Sequence, residues 1–112
     1  MSPTEEIIID DNFSILRFEN NLTENITFQR EMGTDVIQFY FGLKGSAKFV
    51  FNQGAYSLPL NEEKFLILYN PQKQLPVHLE ISPNTWVISV LISIKKFHAL
   101  FSTEAEFIGF LT

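Results

Sequence analysis

The chain has no cysteine, which excludes disulfides, thiolate nucleophiles and thiolate metal sites and fits a reducing compartment. It has only two histidines, and no Ser/His/Asp arrangement that the sequence supports. Basic residues are outnumbered, eight to thirteen, and the net charge is −5. They are also scattered, at Arg17, Arg30, Lys44, Lys48, Lys64, Lys73, Lys95 and Lys96. No basic stripe meets nucleic-acid phosphates, so this segment alone is not expected to bind DNA. Long apolar runs are missing too: the longest, Trp86 to Ile94, falls well short of the ~20 residues a membrane helix needs. Met1 to Asp11 carries four carboxylates around the short run Ile7-Ile8-Ile9, so no secretory signal is expected there. These absences together describe a soluble, cytoplasmic protein with no membrane partner.

What is present is core material. At 112 residues the chain suits one domain, 1–112, and folding hides roughly two-thirds of the surface of a chain this size. Apolar residues make up 46% and charged ones 19%, a balance that excludes disorder by composition, and twelve phenylalanines favour strands. Residues 1–11 read as an N-terminal arm. Strand-like runs follow at short intervals: Phe13 to Glu19, Asn25 to Glu31, Val36 to Leu43, Ser46 to Phe51, Ala55 to Leu58, Lys64 to Tyr69, Leu75 to Ile81 and Thr85 to Ser93. Val36 to Leu43 is almost continuously apolar, the pattern of a strand buried on both faces. Lys44-Gly45 and Asn52-Gln53-Gly54 mark hairpins, and Pro59, Pro71 and Pro83 fall in expected turns. Eight or so short strands with regular turns predict an all-β sandwich or barrel.

The period changes only near the end. Phe97, Leu100 and Phe101 recur at helical spacing, and Thr103 with Glu106 has capping-box spacing for a second helix carrying Phe107, Ile108, Phe110 and Leu111. Residues 95–112 are therefore expected to be one or two short helices, the second running on past Thr112. These seven apolar residues are candidates for helix packing and a homodimer contact.

Other motifs carry less. His78 and Glu80 share one strand face opposite Val77, Leu79 and Ile81, which reads as a solvated surface pair, and His98 lies in the apolar helix. KGSAKFVF, residues 44–51, matches an RNA-recognition consensus at Lys44, Gly45, Ala47 and Phe51 but has Ser46 and Lys48 where stacking rings belong. Asn21-Leu22-Thr23 and Asn25-Ile26-Thr27 have sequon form without a secretory route.

From Ile37 onward, IQFYFGLKGSAKFVFNQGAYSLPLNEEKFLILYNP, then LPVHLEI, then WVISVLISIKKFHALFS together resemble the N-terminal domain of AraC/XylS-family transcriptional regulators. The resemblance implies a cupin-like barrel (a double-stranded β-helix or jelly roll) followed by helices. It implies a small-molecule effector, dimerisation, or both, with DNA bound only by a separate helix-turn-helix domain absent from this chain. Metal-dependent cupin enzymes are the alternative. Their glutamate ligand position falls on Gln38, their paired histidines fall within Glu31 to Thr34, and their third histidine falls in the Gln-Lys-Gln that follows Pro71. With every ligand replaced, no metal, no cofactor and no catalysis are expected. A stand-alone carbohydrate- or small-molecule-binding barrel is a further alternative. On the barrel reading Gln38, Tyr40 and Gly42 point inward, Gly42 leaving space, and Phe49, Phe51, Tyr69 and Trp86 join them as candidate pocket lining. A filled core at the same positions stays open as the other outcome.

Overall fold

Alternation of apolar and polar residues sets most of the strands and decides which side of each is hidden. The structure, a computed structural model, describes residues 4–51, 54–69, 71–72 and 77–100. Nine strands run in chain order: β1 Thr4–Asp10, β2 Phe13–Asn20, β3 Ile26–Arg30, β4 Val36–Lys44, β5 Ser46–Phe51, β6 Tyr56–Asn61, β7 Phe65–Leu68, β8 Val77–Ile81 and β9 Thr85–Ser93. A helix, α1, covers residues 94–100. The strands form a five-stranded sheet, β1-β2-β9-β4-β7, and a four-stranded sheet, β3-β8-β5-β6, with antiparallel pairing in both.

The core lies between the two sheets. Leu16, Phe18, Tyr40, Phe49, Leu79, Ile81 and Val87 are fully buried there. Complete burial of side chains this large contributes ~1.5–3 kcal/mol each. Tyr40 and Phe49 meet edge to face across the barrel with ring centroids 4.6 Å apart, and Phe18 meets Phe28 likewise at 5.0 Å.

One end of the barrel is stitched shut by side chains that bond to backbone. The amide nitrogen of fully buried Asn20 lies 2.9–3.0 Å from the carbonyl oxygens of Glu24, Ile81 and Ser82, and its oxygen accepts the Leu22 N–H at 3.0 Å. Thr85 Oγ1 accepts the Ser46 N–H and donates to the Ser46 carbonyl, both at 3.1 Å. Gly45, at φ 76°, makes the β4–β5 turn beneath that contact, a conformation that favours glycine.

Several expectations change. The N-terminal arm is an edge strand, β1, held by pairs such as Ile7 with Ile15; its isoleucine run is too short to announce a strand without that partner. Pro59 lies inside β6 rather than in a turn, acceptable because β6 is an edge, where a missing N–H can face away from the ladder. Strand β4 is not buried on both faces: Phe41 is 38% exposed and Leu43 52%. Gly42 leaves no space, because an added Cβ would run into the Asn61 carbonyl oxygen, with the Asn61 carbonyl carbon at 3.1 Å and Leu60 Cγ at 3.6 Å.

Candidate functional site

At the end opposite the Asn20–Thr85 stitching, a cleft of about 380 Å³ opens between the sheets. This falls within the ~300–1,000 Å³ range of small-molecule sites. Strand register explains how the cleft arises. Ser14 pairs with Leu91 and Leu91 with Gln38, forming one inward row; Leu16, Ser89 and Tyr40 form the next row inward. Glu6 and Ile8 of β1 pair with Leu16 and Ser14 and so extend the same face to the sheet edge. Arg30 and Met32, from the end of β3 and the segment after it, close the opposite side, and Val36 and Ser93 line the mouth.

The lining is therefore mixed, with Ile8, Phe13, Met32, Val36, Leu91 and Ile92 set among eight polar or charged residues. Arg30 Nη1 donates to Glu6 Oε2 at 3.1 Å, while its guanidinium sits 5.2 Å from the Phe28 ring centre. Both members of the ion pair keep about a third of their side-chain exposure, so the pair contributes only ~0–1 kcal/mol to stability and stays reachable from solvent. On the rim, Asp10 accepts the Asn12 N–H at 2.7 Å and meets Lys96 at 3.0 Å. The Asn12 bond first, and Lys96 second, lower the Asp10 pKa below the usual carboxylate value.

Beneath Leu91 and Met32 lies a buried polar trio. The Tyr40 hydroxyl donates to Gln38 Oε1 at 2.8 Å, with both residues almost wholly buried. Burial pushes the Tyr40 pKa well above the ordinary tyrosine value, and the neighbouring Ser89 hydroxyl and the Arg30 charge only partly oppose it. Ser89 Oγ is fully buried beside Tyr40 without hydrogen-bond geometry, the one such unpartnered side-chain oxygen among the described residues.

The pocket candidates from sequence divide. Gln38, Tyr40 and Phe49 come together inside the barrel, and half-buried Phe51 packs on that core. Tyr69 and Trp86 do not join them. They are 39% and 40% exposed, and Trp86 lies on the outer face beneath the Lys44 ammonium, 5.7 Å from its ring centre. On β9 the inward positions are Thr85, Val87, Ser89, Leu91 and Ser93, so alternation sends Trp86 outward. Of the helix candidates, Phe97 packs towards Phe39 at 6.4 Å and Leu100 is 47% exposed. Phe101, Phe107, Ile108, Phe110 and Leu111 lie outside the described residues.

Arg30, Glu6, Met32, Leu91 and Ser89 are not among the pocket candidates read from the sequence. The available signals were faint: a charged residue ending the inward series Ile26, Phe28, Arg30, and serines at inward positions of an apolar strand. Chemically the cleft offers the Arg30–Glu6 pair, further carboxylates at Asp10, Asp11 and Asp35, the Asn12 amide, hydroxyls at Ser14 and Ser93, and apolar side chains between them. Neither histidine lines it: His78 faces outward beside Gln29 and Glu80, and His98 is exposed on α1.

No known family pattern matches the chain, and no curated protein matches it in sequence. Solved structures do match in shape. An RmlC-like cupin protein from Desulfovibrio desulfuricans aligns with a TM-score of 0.60 at 16% identity, over 80% of this chain and 79% of that one. A cupin-2 barrel domain protein from Salinispora arenicola gives 0.57 at 11% identity, over 86% and 82%. The cupin-2 domain of an XRE-family transcriptional regulator from Enterobacter cloacae gives 0.59 at 9% identity, over 81% of this chain and 97% of that domain.

Many barrels of this shape hold a metal, and the residues here do not fit one. Gln38 presents an amide whose oxygen is already taken by Tyr40, the stretch Glu31 to Thr34 contains no imidazole, and no three His, Cys, Asp or Glu side chains gather among the described residues. No helix among those residues is long and apolar enough to cross a membrane. Strand order, register and these likenesses agree on one statement: the chain is a cupin-fold β-barrel domain.

Proposed function

We propose that this domain is the N-terminal ligand-sensing domain, dimerisation domain or both, of an AraC-type transcription regulator, working in the cytoplasm without catalysis. The observation that carries the reading is the between-sheet cleft, with its mixed apolar and polar lining and its accessible Arg30–Glu6 pair above the buried Gln38–Tyr40–Ser89 trio. Such a site orients a small amphipathic molecule through a few polar contacts and gains affinity from apolar burial. The resemblance from Ile37 to the helix supports the regulator assignment, and the Enterobacter neighbour is a cupin domain belonging to a regulator. DNA contact then belongs to a separate helix-turn-helix domain, and a two-fold dimer suits paired half-sites.

The test compares the full-length gene product with this 112-residue chain. Full-length protein should select and shift a DNA site containing two half-sites, while residues 1–112 shift no duplex at physiological salt. Specific, salt-sensitive DNA binding by the short chain, or a full-length product without a DNA-binding domain, would overturn the assignment.

A further inference from the structure

The charge of the cleft is lopsided. Four carboxylates line it, Glu6, Asp10, Asp11 and Asp35, against one guanidinium, Arg30. Arg30 is already engaged by Glu6 at 3.1 Å and by the Phe28 ring, and Asp10 is engaged by Lys96 at 3.0 Å. Asp11 and Asp35 are exposed and have no ion pair among the described residues.

Backbone bonds bring these two aspartates to one mouth. Ser93 donates its N–H to the Asn12 carbonyl at 2.9 Å, and Ile94 donates to the Asp35 carbonyl at 2.7 Å. The β1–β2 turn and the segment before β4 are thus tied to consecutive residues at the end of β9, which lies between β2 and β4 in its sheet. From that mouth the inward side chains of β9 descend as Ser93, Leu91 and Ser89. Ser93 and Leu91 line the cleft, and Ser89 Oγ, next in the series, is fully buried without a hydrogen-bond partner.

We propose that the cleft takes an amphipathic organic cation. Its ammonium sits at the mouth between Asp11 and Asp35, its hydrocarbon body lies on Met32, Val36 and Leu91, and a polar atom at its inner end pairs with Ser89. The inference rests on the cleft being a ligand site and names the class of its ligand.

Sign argues for a cation. An anion would have to take Arg30 from Glu6, and would then face Glu6 and three aspartates of its own sign. Spacing argues for an organic one. No three His, Cys, Asp or Glu among the described residues gather closely enough to hold a metal ion, whereas a cleft of about 380 Å³ has room for a hydrocarbon body between the carboxylates. Ser89 argues for the inner polar atom, because a buried hydroxyl without a partner is unfavourable and a ligand atom that bonds to it removes that cost. Met32, unbranched and adaptable, is the lining side chain that can yield to let the ligand through.

The test follows the amide signals of Ser14, Arg30, Met32 and Leu91 in the labelled 112-residue chain. It is titrated with the amine, alcohol and carboxylate of a hexyl and of a phenylpropyl body. The amine should bind about tenfold more tightly than the alcohol, and the carboxylate weakest of all. Raising salt from about 0.1 M to about 1 M, which shortens the screening length from ~10 Å to ~3 Å, should remove most of the amine's advantage. Asp11→Asn combined with Asp35→Asn should remove it as well, with far-UV circular dichroism unchanged. A hexyl chain bearing both amine and hydroxyl should bind about threefold more tightly than hexylamine, a gain lost in Ser89→Ala. A carboxylate that binds as tightly as the amine overturns the cation assignment while the cleft stands as a ligand site. An amine advantage that survives both high salt and the paired aspartate variant overturns it too. An amino alcohol no tighter than hexylamine overturns the Ser89 contact. Silence from every probe at these amides overturns the ligand-site reading and this inference together.

Discussion

Tyr40→Phe removes a single oxygen from the barrel interior and tests whether the Gln38–Tyr40 bond holds the site together. The bond is short, 2.8 Å, and neither partner has solvent to fall back on. Without the hydroxyl, Gln38 Oε1 is left buried and unpaired, a cost of ~1–3 kcal/mol. In a domain of about this size each kcal/mol lowers the melting temperature by ~4–8 °C, so a drop of roughly 5–20 °C is expected. Gln38→Leu should cost a similar amount by stranding the hydroxyl. The double variant, which removes both polar groups, should cost less than the sum, with a coupling of ~0.5–3 kcal/mol. Urea melts of the four proteins give the cycle directly, provided their m-values agree. Additivity within ~0.3–0.5 kcal/mol would refute the claim that the two groups act as a unit.

The same residue gives a pH signature. Burial raises the folded-state pKa of Tyr40 above its unfolded value near 10. Its protonated form is therefore fully stabilising below that value, and the contribution falls as pH rises towards the folded pKa. Wild type should lose up to ~1.4 kcal/mol per pH unit above pH 10 from this source, a loss that Tyr40→Phe lacks.

Gly42→Ala should destabilise the domain by at least ~1–3 kcal/mol, measured by urea melts, because its Cβ would displace the Asn61 carbonyl in a turn also held by the Gly42 N–H to Lys64 bond at 2.9 Å. Asn20→Ala should cost ~2–4 kcal/mol by the same assay, leaving the Ile81 carbonyl and the Leu22 N–H without their side-chain partner, and amide exchange should accelerate first around the β8–β9 turn. Elemental analysis of protein purified without chelator should find no stoichiometric transition metal, and a metal at one per chain would refute the reading of Gln38.

Period-2 alternation carried most of the fold in the sequence: inward Val77, Leu79 and Ile81 against outward His78 and Glu80 follow it to the residue. It failed where partners rather than patterns decide. Strand β1 exists through its pairing with β2, and no local signal separates it from an arm. The apolar run of β4 pointed to burial on both faces, but the strand hides only one, and the exposed Phe41 and Leu43 record the difference. Gly42 was read as space because its neighbour, the Asn61 carbonyl, comes from nineteen residues further along and follows no periodicity. For the site, Gln38, Tyr40 and Phe49 were legible from inward alternation on adjacent strands. Trp86 and Tyr69 were placed inside as rings suited to a pocket, although Trp86 stands at an outward position of β9 and Tyr69 lies just past the end of β7. The cleft was not legible at all. It depends on Glu6 and Arg30 meeting across two edge strands from different sheets.

The central claim, that the between-sheet cleft is a ligand site, is tested most directly by ¹H–¹⁵N correlation spectra of the labelled chain during a screen of small amphipathic carboxylates and amines. Binders should move the amide signals of Ser14, Arg30, Met32 and Leu91 in a saturable way, emerge chemically unchanged, and lose that effect in Leu91→Trp, which fills the cleft. Shifts confined to the outer faces of either sheet, or binding that survives Leu91→Trp undiminished, would contradict it.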